Sequence, residues 1–338
     1  MSLLALGGLR EGPEAGRIGW RKAVRADLGA LATFLASREE RCTGFSGRLL
    51  RSGELLLPSA LRGGVYIAAA DDSDQDGADL VGAVLCHPSR LAMPLLPAQG
   101  DVPAQGDEAL GGLLSLRGWV PASALGSPSD LDRFCSLCGI EVKVSVSYRL
   151  MRRAYRATAA GAGSRSSSFA GGDGRAGTVP GGAAAGGARN GGDGPRIAIR
   201  LAESGDLEAL LPLQIAYEHE EVLTPVHRFD LAACRAALAR SLREQLVFVA
   251  EESGTIVAKA GTNARGLGYD QIGGIYTLPE RRGRGIGASL VGVLVEAIAA
   301  AGRGVSLFVK PGNAAALSLY RGLGFEDIGP YRADYFDA

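Results

Sequence analysis

A mixed α/β fold, with a mostly antiparallel sheet flanked by helices and built twice in tandem, follows from three features of the sequence. Strand-like apolar runs alternate with segments of helical period. The same order of segments occurs in both halves of the chain. Between the halves, residues 156–195 are Gly, Ala and Ser with scattered Arg and Asp and almost no large apolar side chain except Phe169. Such a segment cannot offset its ordering entropy by burial and is expected to be a flexible linker. The expected organisation is therefore a first domain over 20–155, the linker over 156–195 and a second domain over 196–338.

Taken in order, Arg21-Lys-Ala-Val-Arg25 reads as a short strand, and Asp27 as the cap of a helix with Leu28, Leu31, Phe34 and Leu35 on one face. Val65-Tyr-Ile-Ala-Ala69 and Leu80-Val-Gly-Ala-Val-Leu85 follow as strands around an acidic turn. Residues 93–106 are broken by prolines and glycines. A helix near Asp130 to Cys138 and a strand from Val142 to Tyr148 close the first half. In the second half, a strand at Arg196 to Arg200 leads to a helix capped by Asp206 and a second helix over about Leu231 to Arg243. A meander follows over Leu246–Glu251, Thr255–Asn263 and Gln271–Thr277. A helix, the strand Val305–Val309, a helix capped by Asn313 and a last strand opened by Phe325 complete the chain. Val24 to Leu31 answers Ile199 to Leu210, and Val65–Ala69 answers Val247–Glu251.

The chain has 338 residues with 36 basic and 36 acidic side chains, so no overall field favours nucleic acid. Five cysteines, an odd number, point to reduced thiols. No run approaches the roughly 18 apolar residues of a membrane span, and the opening residues lack a basic signal region. A soluble, cytoplasmic protein without membrane or nucleic-acid partners is expected.

The most informative stretch is Leu278-Pro-Glu-Arg-Arg-Gly-Arg-Gly-Ile-Gly-Ala-Ser-Leu290. Gly283, Gly285 and Gly287 let the backbone bend and let an anion approach main-chain N–H groups. Leu290, Val291, Leu294, Val295 and Ile298 keep helical spacing behind them. The turn thus aims unpaired N–H groups and the positive end of a helix dipole at one point, beside Arg281, Arg282 and Arg284. That point suits a diphosphate. A dinucleotide fold would need an acidic residue about 20 positions on, where Val305 to Phe308 stand instead. A nucleotide P-loop would need a Gly-Lys-Ser/Thr that this stretch lacks.

Arg282-x-x-Gly285-x-Gly287, preceded by Thr277-x-Pro279 and followed by Asn313 and Tyr320, resembles the acetyl-CoA site of the GNAT N-acetyltransferases. The resemblance covers about the last 140 residues. It implies that Ile275, Tyr276 and Thr277 offer a strand edge to pantetheine, and that Arg282, Gly283, Arg284, Gly285, Ile286, Gly287 and Ala288 hold the diphosphate. Asn313 would complete the cofactor site. Tyr320, seven residues on and so on the same helical face, would serve as proton donor to the departing thiolate. Acetyl-CoA would be the co-substrate, and an amine-bearing small molecule or protein the acceptor, with a homodimer open.

No base is implied on the strand before Asn313, which reads Leu307-Phe308-Val309. Glu220 is the candidate, with Glu218, Glu221 and His219 as alternatives and Asp270 and Gln271 as possible pocket walls. In the first half, Pro97 to Gly106 stands where the cradle would be; it is acidic and proline-containing, so that copy is expected to be inactive. Cys135-x-x-Cys138 alone does not make a metal site, and none is expected. A non-catalytic acyl-CoA-sensing or partner-binding protein is the rival reading.

Overall fold

The computed structural model describes residues 18–51, 63–70, 80–97, 110–112, 119–155, 197–226 and 228–336. The expected linker, the acidic turn at 71–79, the loop at 98–106 and His227 lie outside the described residues.

The strands are β1 (Ile18–Lys22), β2 (Gly64–Ala70), β3 (Leu80–Cys86), β4 (Leu91–Leu95), β5 (Ser123–Gly126) and β6 (Val144–Arg153), then β7 (Ile197–Leu201), β8 (Val247–Glu252), β9 (Thr255–Arg265), β10 (Tyr269–Thr277), β11 (Gly304–Val309) and β12 (Glu326–Tyr335). They form one twelve-stranded sheet in the order β1, β2, β3, β4, β5, β12, β6, β11, β10, β9, β8, β7. Two neighbouring pairs are parallel, β4 with β5 and β10 with β11. The others are antiparallel, as the sequence predicts.

The order carries one feature that no local pattern encodes. β12, from the end of the chain, pairs with β5 of the first half, while β6, from the first half, pairs with β11 of the second. β6 and β12 pair with each other from Glu326↔Arg152 to Tyr335↔Val144. Each half thus completes its sheet with a strand of the other. The boundary between 155 and 196 divides the chain but not the sheet.

Helices α1 (Leu28–Ala36), α2 (Glu39–Arg51), α3 (Pro128–Cys138), α4 (Leu207–Tyr217), α5 (Leu231–Glu244), α6 (Ile286–Ala300) and α7 (Ala314–Gly322) cover the sheet. α6 buries Leu290, Val291, Leu294, Val295 and Ile298, the face its period predicts, against Val257, Ile272, Val305 and Leu307. No helix among the described residues is long and apolar enough to cross a membrane.

The internal repeat is visible as a shared device. Asp27 accepts from the Val24 N–H and from both ends of the Arg21 guanidinium; Asp206 does the same with Glu203 and Arg200. Arg21 rather than Arg25 is therefore the counterpart of Arg200. The first strand correspondingly runs from Ile18 to Lys22, and Arg25 already belongs to the 3-10 turn that leads into α1.

Sequence patterning misses α2, β4 and β5. α2 buries Cys42, Phe45 and Leu49 in the core of the first half, but its other buried positions, including Thr43, Gly44, Ser46 and Gly47, are small or polar, so no clear apolar period marks it. The reason lies across the molecule. Glu39, buried in α2, accepts from the backbone N–H groups of Leu267, Gly268 and Tyr269 and from Ser46 Oγ. Thr43 shares a hydrogen bond with Ser306 at 3.1 Å. A carboxylate holding three N–H groups compensates its own burial, and it locks the first half onto the β9–β10 turn of the second.

Candidate active site

β10 and β11 pair in parallel only from Tyr269↔Gly304 to Ile272↔Leu307. Beyond Ile272 they diverge, opening a cleft of about 600 Å³. β10 also pairs with β9, through a bulge between Gly273 and Tyr276. Past the bulge, Leu278 donates its N–H to Val257 on the β9 side. Antiparallel alternation then turns the N–H of Tyr276 to β9 and those of Ile275 and Thr277 to the cleft. The Thr277 carbonyl faces the same way and accepts from Arg282 Nε at 3.0 Å.

β10 runs into a 3-10 turn at Pro279–Arg281 and then the glycine turn. Gly283 and Gly285 have φ of 76° and 75°, the left-handed region, and a Cβ on either would meet nothing within 4 Å. Backbone conformation, not space, therefore requires glycine there. Gly285 caps α6, and Ser289 donates its N–H back to the Gly285 carbonyl at 3.0 Å. The N–H groups of Ile286, Gly287 and Ala288 have no helical partner and point toward the cleft mouth.

The three arginines do not act alike. Arg282 lines the cleft and pairs with Glu220 at 2.8 Å. Arg284 is turned aside to Glu252 at 2.9 Å, whereas Arg281 pairs with the same carboxylate at 2.5 Å and still lines the cleft. Arg284, expected in the cradle, is not among the residues that line it.

Asn313 caps α7, its side chain accepting from the Ala316 N–H at 3.0 Å, and both residues line the cleft. Tyr320, two turns on, is buried at the same wall, with its ring 5.8 Å from that of Phe325. Burial, aided by Glu221, pushes its phenol up to about 12. All the predicted cofactor residues except Arg284 line this one cleft, and Tyr320 lines it with them.

The base is another matter. Glu220 lines the cleft, but Oε1 accepts from the Tyr276 hydroxyl at 2.7 Å and Arg282 grips both oxygens. These hydrogen bonds hold its carboxyl below the usual range. A carboxylate so stabilised is a weaker base. Glu221 lines the cleft paired with Lys310 at 2.9 Å. Glu218 accepts from Gln214, and His219 packs on Phe229 at 4.7 Å. Asp270, expected as a pocket wall, is fully buried and ion-paired with Arg303, and Gln271 is buried outside the cleft wall.

Sequence reasoning misses Tyr148, Tyr217 and Tyr335, which complete the wall. Tyr217, at the end of an expected helix, could have been found beside Glu220. Tyr148 and Tyr335 lie on β6 and β12, and only the exchange of strands brings them here.

The Acetyltransferase (GNAT) family model matches residues 212–325. A solved tandem GNAT protein from the clavulanic acid biosynthesis pathway covers 95% of this chain and 100% of its own, at 11% identity and a TM-score of 0.51. This chain belongs to the GNAT superfamily, with two domains in tandem. A Drosophila protein of known structure has a similar fold, at 13% identity and a TM-score of 0.56, covering 95% of this chain and 98% of its own. A putative acetyltransferase from Agrobacterium tumefaciens is 31% identical over 38% of this chain and 92% of its own, at a TM-score of 0.30. No curated protein matches the chain.

The first GNAT domain repeats the divergence of strands but fills it. β4 and β5 pair only at Leu91↔Ser123 and Ala92↔Ala124, and the space beyond is about 80 Å³. His87 donates to the Leu91 carbonyl on the β3 side, so alternation turns position 94 toward the gap. Proline there has no N–H to offer. The Leu96 N–H is taken by Asp130 Oδ1 at 3.1 Å, and Arg133 occupies the Pro97 carbonyl. Both side chains come from α3, capped by Ser127 as α7 is capped by Asn313. Counting from these caps, Asp130 stands where α7 has Ala316, and Phe134 where it has Tyr320. The expected loss at the 98–106 loop lies outside the described residues; these substitutions close the gap without it.

Proposed function

We propose that this GNAT protein is an acetyl-CoA-dependent N-acetyltransferase that passes acetyl directly from the thioester to a primary amine at the cleft of the second domain. The observation that carries this reading is the continuity of donors. The cleft-facing N–H groups of Ile275 and Thr277 lead along one edge to those of Ile286, Gly287 and Ala288 at the start of α6. An extended ligand ending in a diphosphate matches that line: the strand edge pairs with amide groups, and the helix start, left bare by glycines at positive φ, takes the phosphates. Arg282 adds charge at the same place.

Bound acetyl-CoA supplies an acyl group whose C–S bond breaks as the amine nitrogen forms its C–N bond. An N–H at the bulge of β10 supports the carbonyl oxygen as it gains charge. Tyr320, with its phenol near 12, keeps its proton at pH 7 and donates a hydrogen bond to the departing sulfur, whose parent thiol has a pKa of about 8.5. Glu220 orients Arg282 and Tyr276 instead of removing a proton. With both lining carboxylates, Glu220 and Glu221, held by cations, the amine enters neutral, and the proton its nitrogen sheds on forming the amide passes through water to the departing thiolate. The acceptor wall is Tyr148, Phe308 and Tyr335, so the first domain contributes to it through β6.

Release of free thiol, followed with a panel of amines, tests the reading. Tyr320→Phe is expected to lower kcat about 100-fold with the Kd for acetyl-CoA within about threefold, because the phenol is not a phosphate ligand. Tight binding of acetyl-CoA without turnover of any amine would favour the non-catalytic acyl-CoA-binding alternative.

A further inference from the structure

Lys259, on β9, is an oddity of this core: an ammonium with only 4% of its surface exposed. Burying such a charge costs several kcal/mol unless it is compensated. Its compensation is local. Nζ donates to the Gly274 carbonyl at 2.7 Å and lies 4.7 Å from the centre of the Tyr217 ring. Glu218 supplies the largest favourable charge. Gly274 sits in the bulge of β10 with φ of 60°. Lys259 therefore fixes the peptide group that follows this glycine.

The consequence is geometric. In a trans peptide the C=O of one residue and the N–H of the next point in opposite directions, and the described chain has no cis peptide. With the Gly274 carbonyl drawn to Lys259, the Ile275 N–H must point away from Lys259. It cannot pair with β11, because that ladder ends at Ile272. The first domain provides a comparison: β4 pairs with β3 from Ala83↔Leu95 to Cys86↔Ala92 without a bulge, and β3, Leu-Val-Gly-Ala-Val-Leu-Cys, contains no lysine. The bulge and the lysine occur together in the domain whose cleft is open.

We propose that Lys259 is a positioning residue for acyl transfer: by holding the Gly274 carbonyl, it aims the Ile275 N–H at the oxygen of the bound thioester. It touches no substrate. This rests on the acetyltransferase reading above, and it adds a residue on a neighbouring strand to the machinery of that site.

The test uses the full chain with acetyl-CoA carrying ¹³C in its carbonyl. Infrared difference spectra of the bound thioester report the hydrogen bond to that oxygen, and calorimetry with CoA, which lacks the acetyl group, reports the rest of the site. In the parent protein the carbonyl stretch is expected to fall on binding. In Lys259→Met the downshift is expected to vanish and kcat to drop about 100-fold, the scale for losing one oxyanion donor, while the Kd for CoA changes less than about threefold. Lys259→Gln, which keeps a neutral donor, should restore part of both and serves as the variant of record if Lys259→Met does not fold. A variant that keeps the carbonyl shift and kcat would overturn the proposal. So would one that loses CoA affinity and carbonyl shift together, since that is the mark of a general structural role. A parent that fails to bind acetyl-CoA would refute the functional reading instead.

Discussion

Lys259 also makes a statement about stability. Its pKa falls to about 8, chiefly because burial disfavours the charge, with Glu218 and Cys234 opposing. The unfolded lysine titrates near 10.4. Between these values the unfolded chain binds a proton that the folded chain does not, so stability rises with pH across that window, and below pH 8 the buried charge is a net cost. Lys259→Met removes the titration. The stability of the variant relative to the parent is therefore expected to shrink by roughly 2 kcal/mol from pH 7.5 to 9.5, about 1.4 kcal/mol per unit across the window. Urea unfolding of both proteins at the two pH values measures it, and a gap that does not change with pH would mean that Lys259 titrates normally. The glycine turn was legible from its own spacing, and Tyr320 and Asn313 from the resemblance of their segment to the GNAT N-acetyltransferases. Lys259 was not legible, because nothing in Ile-Val-Ala-Lys-Ala distinguishes a buried lysine from one on the open face of a strand.

At the scale of elements, α3 and α7 are the same helix used in two ways. Each starts at a side-chain cap and lies beside a pair of diverging parallel strands. In α7 the third position after the cap is Ala316, and the cleft stays open; in α3 it is Asp130, which takes the Leu96 N–H. Ala316→Asp should therefore plug the second cleft as Asp130 plugs the first. We predict that it raises the Kd for acetyl-CoA at least tenfold, because the carboxylate competes for N–H groups and repels phosphate. The melting temperature should move little, since Ala316 is only half-buried, at the cleft wall. An unchanged calorimetric titration would show that this helix does not border the ligand. The inactivity of the first domain was expected from a loop; the helix that closes it could be compared with α7 only once both caps were placed in space.

At the scale of the molecule, the exchange of β6 and β12 makes each domain incomplete alone. Removing residues 1–155 would take β6 from between β11 and β12 and strip both of their central hydrogen-bonded partner. It would also remove Tyr148 from the cleft. A fragment of residues 196–338 is accordingly expected to be insoluble or unfolded when produced by itself. A chain cut by an inserted protease site between residues 156 and 195 should elute as one complex in gel filtration and keep its activity. Two separate peaks, each folded, would contradict the exchange. Glu39, reaching from α2 to three N–H groups near Tyr269, adds a further link between the halves.

The sequence by itself determined the class of fold, the tandem build, the glycine cradle and the helix that carries Asn313 and Tyr320, because each depends on contacts between residues a few positions apart. The tertiary structure decided which strands complete which sheet, that Arg284 and Glu220 are spent on ion pairs, and that Tyr148 and Tyr335 join the cleft. Those outcomes depend on contacts between segments from dozens to more than a hundred residues apart, and neither hydrophobic period nor turn chemistry carries information over that range.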